Sequence, residues 1–207
     1  MPETPYSREP GYALRYRDER FSTGTGAATD RRERAVIREL LAKATVRPGP
    51  WLDAPSGTGR MSAELPGPPV RVDREITMLT AATGTAPRVC ASVHALPFRD
   101  GAFAGTLCHR LLQHIPTPVE RLVVLRELAR VTSGPIVVSF FDARSLQHLR
   151  RSLRRAFGKR RSGRSAVARS AFVAELAAAG LRVVAMRSLR RFVAEQTLVL
   201  CERTGKP

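Results

Sequence analysis

Short apolar segments alternate with helix-like segments from Trp51 onward, and this alternation restricts the possible folds more than any other feature of the chain. These segments have the length of buried strands, and the last of them, GPIVVSFFD, has the largely apolar character of a strand that is buried on both faces. Alternation of such strands with helices is typical of a parallel sheet whose two faces are covered by helices. The strand-like segments are WLDAP, VRVD, RVCAS, the start of FAGTLCHRLL, and GPIVVSFFD.

The C-terminal part of the chain departs from this alternation. A helix-like segment, RSAFVAELAAAG, is followed by RVVAMRSL and FVAEQTLVLCER, two strand-like segments that only a few residues separate. A connection this short joins antiparallel neighbours, because a parallel crossover needs about a dozen residues or more. The sequence therefore predicts an α/β fold with a mostly parallel sheet and one antiparallel strand near its C-terminal edge.

Residues 1–29 are polar, but they contain all three tyrosines of the chain and Phe21. Aromatic side chains in a polar segment indicate an arm that docks on the rest of the protein. Asp30 and Glu33 then have the spacing of a capping box, which predicts a helix that begins at Asp30. We therefore expect an arm at 1–29 and one domain at 30–207. The predicted apolar face of the helix consists of Ala35, Val36, Leu40 and Leu41.

Lysine and arginine outnumber the acids 35 to 18, which gives a formal net charge of +17. This excess indicates a polyanionic partner, although a genome biased towards arginine codons would produce part of it. No apolar run reaches the roughly 18 residues that span a bilayer, and the N-terminus lacks the order of a secretory signal. The expected location is the cytoplasm, with peripheral membrane contact left open. Cys90, Cys108 and Cys201 lack metal-type spacing and are expected to be reduced core residues, so no metal site is predicted.

Residues 144–169 form a basic helix and loop inserted into the domain, and no acid lies between Asp142 and Glu175. Three interpretations stay open for this insertion: a solvated helix, a lid that grips an anionic substrate, and a helix that rests on anionic lipid. Nucleic acid is disfavoured as a partner because few aromatic residues interleave with the basic ones. The predicted apolar stripe consists of Leu146, Leu149, Leu153 and Phe157. The arginines expected to contact a substrate or lipid are Arg150, Arg151, Arg154 and Arg155.

A Gly-rich turn, SGTG at residues 56–59, directly follows the first apolar strand. Such a turn between a strand and a helix lets the backbone approach a ligand and directs helix N–H groups towards it. Asp73 ends the next strand about twenty residues on, where a carboxylate can accept hydrogen bonds from both hydroxyls of a ribose. Ser92 ends the third strand. Three consecutive strand ends therefore predict a nucleotide-like ligand in one crevice.

In the order and spacing of these residues, the stretch from Trp51 to Asp142 resembles the class I S-adenosylmethionine-dependent methyltransferases. Within them it is most similar to the small-molecule enzymes typified by ubiquinone and menaquinone biosynthesis. LDAPSGTGR resembles the first motif of the family, and ALPFRDGAFAGTLCHRLLQHI resembles its Leu-Pro-Phe segment and the following strand. The resemblance implies a Rossmann-like seven-stranded sheet, S-adenosylmethionine as the cofactor, and methyl transfer to a small-molecule acceptor that is anionic, lipid-linked or neither.

The resemblance also implies roles for particular residues. Asp53 would orient the amino end of the cofactor, Asp73 would hold its ribose, and Arg74 would lie beside its adenine. Tyr16 and Arg20 of the arm would close over the cofactor as a lid. No catalytic base is identified, although His109 and His114 are candidates. The residues expected to contact the cofactor are Asp53, Ala54, Ser56, Gly57, Thr58, Gly59, Asp73, Arg74, Ser92, Val93 and His109.

The chain departs from the family pattern at Ser56, Ala104 and Ser92. The last departure matters most, because the family usually has an acid there that accepts the adenine amino hydrogen. A serine hydroxyl also accepts, but losing the charge costs on the order of 1 kcal/mol or more. A methyltransferase-like binding protein without activity therefore stays open as an alternative. The Gly-rich turn and Asp73 alone would also permit an NAD-dependent oxidoreductase. Nothing in the sequence predicts the oligomeric state.

Overall fold

The fold is built on a seven-stranded sheet with the order β3-β2-β1-β4-β5-β7-β6. The computed structural model describes residues 11–156, 164–190 and 193–205; the side chains of residues 151 and 153–156 lie outside that description. The predicted α/β, Rossmann-like fold is confirmed. The strands are β1 Trp51–Asp53, β2 Pro69–Asp73, β3 Arg88–Cys90, β4 Gly105–Cys108, β5 Ile136–Phe141, β6 Leu181–Ser188 and β7 Gln196–Arg203.

Strands β1 to β5 are parallel, and β7 is the antiparallel strand. It pairs with β5 on one side and with β6 on the other. The connection from Ser188 to Gln196 is too short for a crossover, so β6 and β7 pair as antiparallel neighbours, as the sequence predicts. All the strands that carry predicted site residues therefore end at the same edge of the sheet.

Helices cover both faces of the sheet, as the alternation predicts. The helices described are α1 Tyr12–Asp18, α2 Gly24–Leu41, α3 Ile76–Ala81, α4 Pro118–Val131, α5 Leu146–Ala156 and α6 Arg169–Ala178. Val138 and Phe140 of β5 belong to the apolar cluster on the α4 and α6 side, whereas Val137 belongs to the cluster on the α2 side.

Helix α2 corrects the prediction for the start of the domain. It begins at Gly24 with Thr23 as the N-cap, so Asp30 lies inside the helix and does not cap it. Asp30 instead pairs with Arg34 one turn later and with Arg60. The helix is continuous across the expected boundary between residues 29 and 30. Its buried face also differs: Ala35 is exposed, and Ile37 and Glu33 are buried instead.

The expectation that all three cysteines are core residues is wrong for one of them. Cys108 and Cys201 are buried, but Cys90 is exposed. The reason is topological, because Cys90 belongs to β3, a strand at the edge of the sheet. Two of the three residues of β3 are exposed and the third is partly buried.

The basic insertion begins with α5, as predicted. Ser145 Oγ accepts a hydrogen bond from the His148 N–H (3.1 Å) and so caps the helix. Leu146 and Leu149 of the predicted stripe are 47% and 54% exposed. Phe157 and the loop at 157–163 lie outside the described residues, as does the side chain of Leu153. Among the helices described, none is long and apolar enough to cross a membrane.

Candidate active site

A cleft of about 520 Å³ opens at the carboxyl ends of β1 to β4. This volume lies within the range of about 300–1,000 Å³ that is typical of small-molecule sites. The predicted residues that line it are Tyr16, Asp53, Ser56, Gly57, Thr58, Asp73, Arg74, Ser92, Val93, His109 and His114. The predicted residues outside its lining are Ala54, Gly59, Arg20 and Arg150. The side chains of Arg151, Arg154 and Arg155 lie outside the described residues.

Asp73 holds the Gly-rich turn in place. Its Oδ2 accepts a hydrogen bond from the Gly57 N–H (2.8 Å), and its Oδ1 accepts one from the Glu75 N–H (3.0 Å). Gly57 has a φ of +54°, a left-handed conformation that glycine adopts without steric cost. Burial raises the pKa of Asp73, and the two N–H donors oppose that shift. The carboxylate thus joins the end of β2 to the turn and keeps unused lone pairs on the side of the cleft.

Asp53, at the end of β1, is buried at the base of the cleft. Ser62 Oγ donates to Asp53 Oδ2 (2.6 Å), and Arg71 Nε donates to Ser62 Oγ (3.0 Å). Burial raises the pKa of Asp53 to about 7, because the Ser62 hydrogen bond and the Arg71 charge offset burial only in part. The Asp53 carboxyl therefore changes its protonation state near neutral pH.

Glu33 of α2 is completely buried beside the cleft. Arg60 Nη2 donates to Glu33 Oε2 (2.6 Å), and Arg110 Nε and Nη2 donate to Oε1 (2.7 and 2.6 Å). Burial acts to raise the pKa of Glu33, but its polar neighbours, which include both arginines, outweigh burial and leave that pKa below its usual value. Glu33, Arg60 and Arg110, which we call the Glu33 cluster, therefore form a partly buried ionic group that joins α2 to the segments after β1 and β4.

Arg110 has an unusual backbone conformation at the end of β4. Its φ is +60°, which costs energy for any residue with a side chain. Ser139 Oγ of β5 accepts a hydrogen bond from the Arg110 N–H (2.7 Å) and so stabilises this geometry. Strained residues of this kind concentrate at functional sites. The conformation turns the chain out of the sheet where His109 and Arg110 line the cleft.

The arm packs on the Glu33 cluster. The Phe21 ring centroid lies 3.9 Å from the Arg60 guanidinium carbon and 5.2 Å from that of Arg110, so both cations contact the ring. Tyr16 packs edge-on against Phe21 (5.9 Å between centroids) and lines the cleft. Arg20 lies 6.0 Å from the Tyr16 ring. Tyr16 is thus placed at the cleft, while the lid role of Tyr16 and Arg20 stays a prediction.

The two candidate histidines differ in access. His109 is buried, and its Nε2 accepts a hydrogen bond from Gln196 Nε2 of β7 (2.8 Å). Burial lowers the pKa of His109 to about 3, so its ring is neutral and its Nε2 is occupied. His114 lies on the exposed wall of the cleft. Partial burial and the charges of Arg164 and Arg110 lower the pKa of His114, so this ring is neutral at pH 7 and accessible.

The sequence resemblance places Arg110 at the end of a strand near the methyl group, but the sequence reveals neither Glu33 and Arg60 as members of the site nor the pairing of Arg110 with Glu33. For Arg60 and Arg110 a positional signal exists, because each follows the carboxyl end of a strand on the side where a ligand binds. The only sequence signal at Glu33 is its spacing from Asp30, and that spacing indicates a capping box and not a site residue.

Comparisons with known proteins agree with this geometry. The sequence profile of a family described as "Methyltransferase domain" matches residues 52–134, which contain the turn, Asp73, Ser92 and β4. No curated protein matches the chain.

Solved structures share the whole fold at low identity. The magnesium protoporphyrin IX methyltransferase from Synechocystis PCC 6803, with bound SAH, is 16% identical, with a TM-score of 0.70 and coverage of 96% of each chain. An S-adenosylmethionine-dependent methyltransferase from Clostridium acetobutylicum ATCC 824 is 12% identical, with a TM-score of 0.68; the match covers 93% of this chain and 97% of that one. At these identities the likeness shows the fold alone.

Proposed function

We propose that the chain is a class I S-adenosylmethionine-dependent methyltransferase and that its acceptor is a small molecule bound where β4 and β5 end. The observation that carries this proposal is the convergence of the Gly57 turn, Asp73 and Ser92 on one cleft of suitable volume, with His114 and Arg110 at its β4 side. A quinone-type acceptor, as the sequence resemblance implies, remains within this proposal.

The residues of the cleft fit the cofactor. The Gly57 turn offers close backbone approach, Asp73 offers acceptors for ribose hydroxyls, and Val93 and Ile115 offer apolar surface for an adenine ring. Bound S-adenosylmethionine supplies an activated methyl group on a sulfonium. The protein then has to align the acceptor with that group and exclude water.

For the acceptor we assign two tasks to the chain. Tyr16, which lines the cleft and packs on Phe21, is expected to reduce the access of water. His114, neutral and accessible, can take the proton of a hydroxyl or amine acceptor, whereas the Nε2 of His109 is already occupied by Gln196. The positive charge of Arg164 near His114 favours an anionic acceptor, whereas the charge of Arg110 is largely compensated by Glu33.

Calorimetry with S-adenosylhomocysteine and with NAD tests the proposal. We expect S-adenosylhomocysteine to bind and NAD to give no heat of binding. Binding of NAD without any binding of S-adenosylhomocysteine would favour an oxidoreductase. Cofactor binding without turnover across a panel of quinol, phenol and amine acceptors would favour the inactive binding protein.

The raised pKa of Asp53 predicts that cofactor binding depends on pH. The positive amino end of the cofactor favours the ionised carboxylate, so binding should expel the proton that Asp53 holds below pH 7. Affinity should therefore rise with pH, by up to about tenfold per unit below pH 7, and level off above it. Calorimetry in buffers of different ionisation enthalpy measures the released proton. In Asp53→Asn the proton release should vanish; its persistence would assign it to another group.

The raised pKa of Asp53 also predicts how the stability of the ligand-free protein changes with pH. Because the pKa of Asp53 is raised from 3.8 to about 7 in the folded state, the folded state holds a proton that the unfolded chain has lost in this window. The free energy of unfolding contributed by Asp53 is therefore largest at acid pH and is lost as the pH rises through about 7. Urea titrations of the protein and of Asp53→Asn check this difference.

We propose further that the start of the basic insertion contacts an anionic surface or an anionic acceptor. Leu146, Leu149 and Val193 are exposed apolar side chains, and the Gln147 N–H donates to the Val193 carbonyl, which brings the two segments together. Arg150 of α5 and Arg144, which precedes the helix, are both exposed. Leucines beside arginines are the combination that an anionic lipid surface binds.

Co-sedimentation with anionic and neutral vesicles tests the basic insertion. We expect salt-sensitive binding to anionic vesicles, reduced in Leu146→Ser/Leu149→Ser and in Arg144→Gln/Arg150→Gln. Arg47→Gln/Arg99→Gln is the matched control, because it removes the same charge from other parts of the chain. Equal loss in the control would mean that net charge alone is responsible. A variant that ignores vesicles but loses turnover would identify a substrate lid.

A further inference from the structure

We propose that Glu120, acting through His94, makes Ser92 an acceptor for the amino group of the cofactor's adenine and so replaces the acid that is absent from the end of β3. The inference rests on the proposed cofactor site. Ser92, His94 and Glu120 all line the cleft, and they come from the β3 loop and from the first turn of α4.

The three side chains lie one after another, with Ser92 within hydrogen-bond distance of His94 and His94 within ion-pair distance of Glu120. Ser92 Oγ lies 3.1 Å from His94 Nδ1, and Ser92 Oγ also accepts a hydrogen bond from the His94 N–H (3.3 Å). His94 Nε2 lies 3.6 Å from Glu120 Oε1. The other carboxylate oxygen, Oε2, accepts from Thr117 Oγ1 (3.4 Å), which fixes the rotation of the carboxylate.

The charge of Glu120 selects the tautomer of His94. A carboxylate oxygen 3.6 Å from Nε2 attracts an N–H dipole, so the ring hydrogen lies on Nε2 and the lone pair on Nδ1. The Ser92 hydroxyl then donates to Nδ1. With its hydrogen directed to His94 and one lone pair used by the His94 N–H, Ser92 Oγ has one lone pair left for a ligand donor.

The surroundings specify which ligand group meets that lone pair. Val93 and Ile115 lie in one apolar cluster and also line the cleft, so the Ser92 side of the cleft accepts a flat apolar ring. A purine with an amino group at its edge donates to Ser92 Oγ. A purine with a carbonyl at the same edge would place two oxygens against each other, and it is rejected because both are acceptors.

The test compares S-adenosylhomocysteine with its 6-oxo analogue, S-inosylhomocysteine, by calorimetry. The wild type should prefer the amino form, and Glu120→Gln should lower this preference about threefold to tenfold, the value of one hydrogen bond. His94→Ala should lower it similarly, and Ser92→Ala should abolish it. Ser92→Asp in the Glu120→Gln background should restore it, since a direct acid needs no relay.

Glu75→Gln is the matched control, because Glu75 also lines the cleft but pairs with Arg74 (3.4 Å) and takes no part in the chain to Ser92. It should leave the preference unchanged. A preference that Glu120→Gln leaves intact while Ser92→Ala removes it would overturn the role of Glu120 and His94. If the wild type binds neither ligand, the proposed cofactor site itself is wrong.

Discussion

Glu33→Ala is expected to lower the free energy of unfolding by about 2–4 kcal/mol, somewhat less than the cost of breaking a fully buried ion pair, because water reaches part of both arginines. Glu33 is completely buried and accepts hydrogen bonds from Arg60 and Arg110, so its removal leaves two guanidinium groups without their shared counter-ion. Arg60 retains Asp30, but Arg110 has no other carboxylate contact among the described residues. Urea unfolding of the wild type and the variant measures the difference.

Glu39→Ala is the matched control on the same helix. Glu39 is also a glutamate with arginine and lysine partners, Arg187 and Lys43, but its side chain is 46% exposed. Its loss should change the free energy of unfolding by about 1 kcal/mol or less. Glu33→Gln keeps the shape and removes the charge, and it should fall between the two. Equal losses in Glu33→Ala and Glu39→Ala would show that burial of the Glu33 cluster adds no stability.

Most of the sheet could be predicted from the sequence, because each strand produces a pattern within a few consecutive residues. A strand such as Ile136–Phe141 is buried at every position and therefore reads as a continuous apolar run. The antiparallel position of β7 follows from the short connection after β6 alone. The Gly57 turn and Asp73 were likewise recognisable, because strand ends of one parallel sheet meet at one edge.

The Glu33 cluster could not be predicted, because its partners are remote in sequence. Glu33 is separated from Arg60 by 27 positions and from Arg110 by 77, and no periodic pattern joins them. Its local spacing from Asp30 fits a capping box equally well, and only the position of the N-cap, Thr23, excludes that interpretation. The hydrogen bond between His109 and Gln196 could not be predicted for the same reason, since the two residues are 87 positions apart.

The contacts of the basic insertion could also not be predicted from the sequence. The sequence predicts a helix with arginines and an apolar stripe, and α5 has exposed Leu146 and Leu149 as expected. The sequence cannot specify what the stripe contacts, because an apolar face on a basic helix suits a lipid surface, an acceptor or a neighbouring segment. Val193, which lies beside it through Gln147, comes from the connection before β7 and has no sequence signal.

Asp73→Ala is expected to weaken binding of S-adenosylhomocysteine about tenfold to 100-fold, which corresponds to about 1–3 kcal/mol for lost charge-assisted hydrogen bonds. Two losses combine in this variant. The Gly57 and Glu75 N–H groups lose their acceptor, which frees the turn, and the ribose hydroxyls lose the carboxylate. Asp73→Asn should also lose affinity, because its amide nitrogen would face one of those two N–H donors.

A ligand comparison separates the ribose contact from the anchoring of the turn. The wild type should bind the 2′-deoxy analogue of S-adenosylhomocysteine more weakly than the parent compound, whereas Asp73→Ala should bind the two about equally, since its ribose acceptor is gone. Asp100→Ala is the control, because Asp100 is 79% exposed and pairs with Arg130. A folded Asp73→Ala protein that still prefers the parent compound as strongly as the wild type does would assign the ribose to another residue and leave Asp73 with the turn alone.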